Sequence, residues 1–456
     1  MKAAAKKKVL MKDMTQGSPM KLILEFTLPT IFGFLFQQLY NMADTVIVGR
    51  ILGVEALAAV GATGSINFCV IGFCMGICNG FAIPIAQKFG AHDEKGLRKF
   101  VGNSAILALI FAVVMAVAAV LLTHPILRLM NTPADIIEGS YQYIVVIFGG
   151  IPATYLYNLL SGYLRSLGDA KTPVVFLTFS SLLNIVLDIA FILVFKMGVA
   201  GAAWATVTSQ AVSGILCFCY MMKHFPILHL KKEDWKPNGR CVARLCGIGV
   251  PMGLQYSITA IGSVILQVAV NSLGSMAVAS VAAASKIQML LGCPYDAMGS
   301  TMATYGGQNV GAKRMDRIGA GLKSCILIAI VYSVAALGII LLLGRRMAGL
   351  FISSGQGEII DQIYKYLILN VIFYFLLALV NIVRFLIQGM GYSMFAILAG
   401  VCEMVARAMV GFILVPIFGF TAVCLANGAA WIAADLFLIP AYYHVKKKLK
   451  RIFGEE

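Results

Sequence analysis

Residues 173–195 read PVVFLTFSSLLNIVLDIAFILVF. A helix needs about 20 apolar residues to cross the hydrocarbon core of a bilayer, and this stretch supplies them with one ionisable side chain, Asp188. An ionised carboxylate at the centre of a membrane helix costs about 3 kcal/mol on insertion scales. A carboxylate in that position is therefore a candidate functional group. Asn184 lies four residues earlier and shares its helix face.

The rest of the chain has the same character. Of its 456 residues 60% are apolar and 12% charged, and the mean hydropathy is +0.88. A water-soluble protein of this length needs far more charge on its surface. Counting apolar stretches outward from 173–195 predicts spans near 22–48, 56–82, 101–123, 138–161 and 199–222. A second set follows near 246–271, 276–304, 322–344, 360–383, 393–416 and 420–443. Twelve crossings make an all-α membrane protein. Met1 to Lys12 reads as a basic terminal segment and not as a cleaved leader, because no small-residue cleavage site follows the first apolar run.

The net charge of +16 sits in short runs between the spans, as the positive-inside rule requires. One side collects Lys2, Lys6, Lys7, Lys8, Lys12, Lys21, the loops 88–99, 165–171, 223–244 and 313–323, Arg384, and the run from Lys446 to Arg451. The other side has Arg50, Arg128, Lys196, Arg345 and Arg346. This asymmetry predicts both termini in the cytoplasm. The basic runs then face anionic lipid and not nucleic acid. The eleven cysteines lie mostly inside apolar stretches and read as small reduced packing residues. The five histidines fall in or beside loops and suggest neither a metal site nor a proton relay.

The chain also repeats itself. An offset of 221 residues carries Leu52-Gly53 onto Leu273-Gly274, Gln87 onto Gln308, Gly90-Ala91 onto Gly311-Ala312, Gly168 onto Gly389 and Gly198 onto Gly419. Each half has six spans, so both halves enter from the same side, as parallel repeats related by an axis along the membrane normal. The expected organisation is a segment 1–21, a first lobe 22–222, a linker 223–245, a second lobe 246–443 and a tail 444–456. Such pairs suit alternating-access transport.

Several motifs in order resemble the multidrug and toxic compound extrusion (MATE) family over about residues 20 to 445. They are Pro29, Asn41-Met42-Ala43-Asp44, Val48-Gly49 and Leu52-Gly53; then Ala86 to Ala91 and Gly307-Gln308-Asn309-Val310-Gly311-Ala312; then Asn184 to Asp188 and Gly198 to Thr206. The resemblance implies a V-shaped pair of six-helix bundles related by a pseudo-two-fold axis. It implies export of organic cations or other amphipathic compounds, driven by inward sodium or proton flow, with no cofactor beyond the coupling ion. It also implies that Asp44, Asn184, Asp188 and Thr206 match a polar cluster that binds this cation.

Physics agrees. Two carboxylates in a low dielectric repel, so one holds a proton or both hold a cation, and a hard sodium ion finds oxygen ligands in such a set, with Asp44 and Asp188 at its centre. The alternative is a hydrogen-bonded lock between the first, fifth and sixth spans. The equivalent positions in the second half are Ile265, Val405 and Met409, so the coupling chemistry is expected in one lobe. The second half has Lys286, Asp296, Glu403, Arg407 and Asp435. Glu403 and Arg407 are spaced to pair on one helix, with Lys286 joining them, either as a neutral clamp or as a contact for an anionic or zwitterionic substrate. Gln37, Tyr40, Tyr143, Asn158 and Gln255 are polar residues that could line a cavity.

The expected protein is a monomeric multi-pass antiporter of a bacterial plasma membrane, binding small organic substrates and surrounded by lipid. A flippase for lipid-linked precursors, an exporter of an anionic or zwitterionic metabolite, and a receptor are the competing readings. An enzyme is not expected, for no nucleophile with an acid/base pair or metal motif occurs in the spans.

Overall fold

A computed structural model describes residues 11–130, 132–350 and 357–454; Lys2, Lys6, Lys7 and Lys8 of the basic terminal run lie outside the described residues. The first half runs α1 (Pro19–Leu52), α2 (Val54–Ala62), α3 (Gly64–Gly90), α4 (Glu94–Leu129), α5 (Ile137–Gly149), α6 (Ile151–Ser166), α7 (Lys171–Ile189) and α8 (Val199–His224). The second runs α9 (Gly239–Asn271), α10 (Ser275–Gly311), α11 (Met315–Gly349), α12 (Gly357–Val371), α13 (Tyr374–Gly389), α14 (Met394–Met409), α15 (Val415–Phe418) and α16 (Phe420–Phe453). Among the described residues ten helices are long and apolar enough to cross a membrane. Two bent pairs, α5–α6 at 46° and α12–α13 at 51°, bring the number up to twelve.

The bends have local causes. Gly150 lies between α5 and α6, where a Cβ would meet the Val207 side chain at 2.2 Å, and Pro152 follows in the first turn of α6, a position that needs no backbone donor. In the second half the break at Phe373 seats that ring against Gly428 of α16, where a Cβ would lie 2.6 Å from it.

Backbone conformation carries the repeat more sharply than residue identity does. Gly53 and Gly274 are left-handed with φ of 90° and 94°, Gly198 and Gly419 with 61° and 57°, and His92 and Lys313 with 55° and 58°. All three pairs keep the 221-residue offset. Gly168, at φ 81°, departs from it: its left-handed counterpart is Gly391, at φ 92°, while Gly389 is the last residue of α13. Hence the halves slip by two residues between the third and fifth spans, which a single offset cannot register. The fifth span of each half then ends in a π turn, Ala190–Val194 and Val410–Leu414.

The chain packs as two compact units. Of the described residues, one contains 11–13 and those within Phe32–Ser257; the other contains Met14–Ile31 and those from Ile258 onward. The division falls inside α1, two residues past Pro29, and inside α9, six residues past Pro251. Proline removes a backbone donor and permits bending.

In the first unit α3 lies backbone to backbone on α9. A Cβ on Gly80 would sit 2.4 Å from Gly249 Cα, and one on Gly76 would sit 2.6 Å from Gly253 Cα. Two GxxxG faces thus meet, the small-residue packing that brings membrane helices close without a hydrophobic driving force. In the second unit the Gln308-Asn309 motif is a clamp. Gln308 Oε1 accepts the Met14 N–H at 2.8 Å, and Asn309 Nδ2 donates to Met14 O at 3.3 Å. Arg317 donates to Met14 O, Gly17 O and Asn309 Oδ1 at 3.2, 2.9 and 3.1 Å. This motif, one of those that carry the family resemblance, ties down the segment entering α1. All eleven cysteines are free thiols.

Candidate functional site

Four elements of the first unit converge on one polar cluster. α1 supplies Tyr40 and Asp44, α7 supplies Asn184 and Asp188, α8 supplies Thr206, and α5 supplies Tyr143. The two pairs on α1 and α7 are each four residues apart, so each presents one helix face. Asp188 is fully buried, Asn184 is 1% exposed and Asp44 9%.

Asp44 and Asp188 meet side chain to side chain in a hydrogen bond. An ionised carboxylate only accepts, so this contact requires a proton on one of the two. Asn184 satisfies both ends of its amide when its nitrogen donates to Asp188 Oδ2 at 3.0 Å and its oxygen accepts from the Thr206 N–H at 3.1 Å and hydroxyl at 3.3 Å. Tyr40 hydrogen-bonds Thr206, and Tyr143 lies beside Tyr40 and both carboxyls. One oxygen of each carboxyl, Asp44 Oδ1 and Asp188 Oδ1, has no partner. The cluster therefore offers two adjacent unfilled acceptors in a water-poor place. Such a site can exchange a proton, or take a small hard cation if Asn184 turns its oxygen inward.

Tyr40 and Tyr143, read from the sequence as cavity residues, belong to this cluster. The other polar candidates do not reach it through any hydrogen bond described. Gln37 is half-buried on α1. Asn158 donates to Thr154 O in its own helix at 2.8 Å, and Thr154 in turn reaches Gln210 at 2.8 Å. Gln255 is buried on α9.

The second unit builds a different ionic cluster, and here the structure corrects two expectations. Glu403 and Arg407 of α14 do pair, at 3.3 Å, but Lys286 is exposed on α10 and takes no part. The second cation is Arg384, which pairs with the other oxygen of Glu403. Arg384 was expected in a basic loop. Instead α13 runs on to Gly389 and buries Arg384 to 5% exposure, which Glu403 makes tolerable by neutralising it. No local signal distinguishes a snorkelling arginine near a span end from one folded inward. Around this triad stand Asp435 of α16, 4% exposed, and Asp296 of α10, which accepts from Asn381 Nδ2 at 3.3 Å. Among the described residues no group of three His, Cys, Asp or Glu side chains is arranged to hold a metal ion.

The MatE family profile matches residues 29–190 and again 251–413, the two halves of the repeat. The probable multidrug resistance protein YpnP of Bacillus subtilis is 31% identical over 67% of this chain and 68% of its own. The probable multidrug resistance protein YoeA of the same organism is 28% identical over 94% of both. A solved outward-facing multidrug resistance MATE transporter of the MOP superfamily superposes with a TM-score of 0.89 at 25% identity, covering 96% of this chain and 98% of that one. With a family match over both halves, a relative of this identity and coverage, and an all-helical fold of up to twelve spans, this multi-pass membrane chain is not an enzyme but belongs to the MATE family of transporters.

Proposed function

We propose that this protein is a secondary antiporter that exports small organic compounds, cationic or amphipathic, in exchange for an inward proton or sodium ion. The observation that carries this reading is the buried Asp44–Asp188 pair, hydrogen-bonded to itself with one oxygen of each acid unfilled. A purely structural lock would fill those oxygens. The relatives' descriptions as multidrug resistance proteins support the substrate class.

In this scheme the coupling ion enters from outside and neutralises the pair. Tyr40 and Asp44 lie on α1, so a change in their contacts with α7 and α8 pulls on that helix, and Pro29 lets it bend. Substrate affinity falls, substrate leaves outward, and the ion is released to the cytoplasm before new substrate loads. The amide of Asn184 suits a proton on the pair when its nitrogen donates to Asp188 and a sodium ion when its oxygen turns inward, so it serves either coupling ion. One charge crossing 100 mV supplies about 2.3 kcal/mol; at about 1.4 kcal/mol per decade that sustains a roughly fiftyfold substrate gradient. The protein works as a monomer in a bacterial plasma membrane, with its basic ends in the cytoplasm.

The test is efflux of a cationic dye such as ethidium from vesicles, with proton and sodium gradients imposed separately. Efflux should follow one gradient in the wild type and lose that dependence in Asp44→Asn and in Asp188→Asn. Gradient-driven efflux surviving in both variants would remove the pair from the mechanism.

A further inference from the structure

The ionic cluster of the second unit has a count that does not balance. Its two guanidiniums, Arg384 and Arg407, cannot lose protons in a protein. Three carboxyls stand with them: Glu403 bonded to both arginines, Asp296 held by Asn381, and Asp435. Both Asp296 and Asp435 act electrostatically on Arg384, and Asp435 also feels Glu403. With every carboxyl ionised the five groups sum to −1, but Asp296 is exposed and carries its charge outside the buried part of the cluster, so the question of a bound proton falls on the two buried carboxyls, Glu403 and Asp435.

The hydrogen bonds show where that proton belongs. Glu403 accepts from two guanidiniums and stays ionised. Asp296 is exposed and accepts from an amide. Asp435 is 4% exposed and neither of its oxygens has any partner. A buried carboxylate with no donor is the costliest form available to it. Across the elements packed on α16, the charged groups that act on Asp435 are Arg384 of α13 and Glu403 of α14; α16 itself places no ionisable residue within a turn of it. Arg384 Nε and Arg407 Nη1 are also buried without partners, so the triad keeps unused donors. A metal cation is unsuited to this place, since two guanidiniums repel it and Glu403 is already occupied. A proton needs one lone pair and no coordination shell.

We propose that Asp435 is a proton-binding site of the second unit, and that its proton decides whether Arg384 serves Glu403 alone or is shared between two carboxylates. Losing the proton makes Asp435 a competitor for the unused Nε of Arg384, which draws α13 toward α16 and loosens the link to α14. For transport, resting on the antiport reading above, this adds a proton-sensitive element remote in sequence from Asp44 and Asp188.

Infrared difference spectroscopy of the purified full chain in lipid, titrated with pH, reads the proton directly. The background is Asp44→Asn with Asp188→Asn, which silences the first cluster. A protonated-carboxyl band that titrates should persist in that background and disappear when Asp435→Asn is added. A second variant, Asp435→Glu, keeps the titratable group and should move the band's frequency, so the site remains testable if Asp435→Asn does not fold. A band unchanged by either substitution, or no such band in the background variant, overturns the proposal. Dye efflux is not the readout here: its failure would count against the antiport reading and leave the band's assignment intact.

Discussion

Replacing Gly80 with alanine tests the helix contact that holds α9 on the first unit. The new Cβ would lie 2.4 Å from Gly249 Cα and 2.9 Å from Gly249 N. Carbon atoms settle at about 3.5–4.0 Å, so α3 and α9 must part by roughly 1 Å over this crossing. The obstacle is backbone and cannot swing aside as a side chain would. Overpacking of this kind costs about 1–3 kcal/mol, and a unit of 150–250 residues loses about 2–4 °C in melting temperature per kcal/mol. A thermal midpoint lower by roughly 2–12 °C is expected for the detergent-purified protein. Gly247→Ala is the internal control. It lies on the same α9, where a Cβ meets nothing within 4 Å, and alanine improves helix propensity by about 0.8–1.0 kcal/mol. Its midpoint should stay or rise. If Gly80→Ala melts at or above Gly247→Ala, backbone-to-backbone packing does not set the stability of this contact.

Arg384→Gln leaves Glu403 and Arg407 with a broken network. Loss of one partner from a buried ion pair costs about 3–5 kcal/mol, so folded yield in membranes should drop sharply, whereas Lys286→Met, at an exposed and unengaged position, should express as the wild type; equal yields would refute the clamp. Asp93 caps α4 through the Gly96 N–H at 2.8 Å and takes Lys88 at 2.7 Å, and that Lys88 contact, followed by the Gly96 bond, holds its carboxyl below the usual aspartate value. Its stabilising effect is therefore complete above about pH 3.9 and disappears as acidification protonates it, so Asp93→Ala should lower the melting midpoint by the equivalent of about 1 kcal/mol at neutral pH and by less in acid. Arg317→Ala removes two donors from the Met14–Gly17 segment and a third from Asn309; trypsin should then cut at Lys12 several times faster, and an unchanged cutting rate would show that the clamp is redundant.

Much of this protein was legible in the linear chain because a bilayer imposes a simple code. Every backbone group in hydrocarbon must bond within its own helix, so long apolar runs such as 173–195 specify spans, and glycines that must adopt positive φ, such as Gly53 and Gly198, mark the ends of those spans at a constant period. The Asp44 and Asp188 candidates were visible for the same reason: a carboxylate in an apolar run is conspicuous. Tertiary structure decided what depends on which helix faces touch. It brought Tyr40 and Tyr143 to the acid pair, because the sequence shows that a tyrosine is polar but not which neighbour receives its hydroxyl. It folded Arg384 inward onto Glu403 in place of Lys286, because the rotation of α13 and α10 about their axes is set by packing in the second unit and not by hydropathy. The same packing left Asp435 buried without a donor, a fact about three helices at once that no periodicity of one of them encodes.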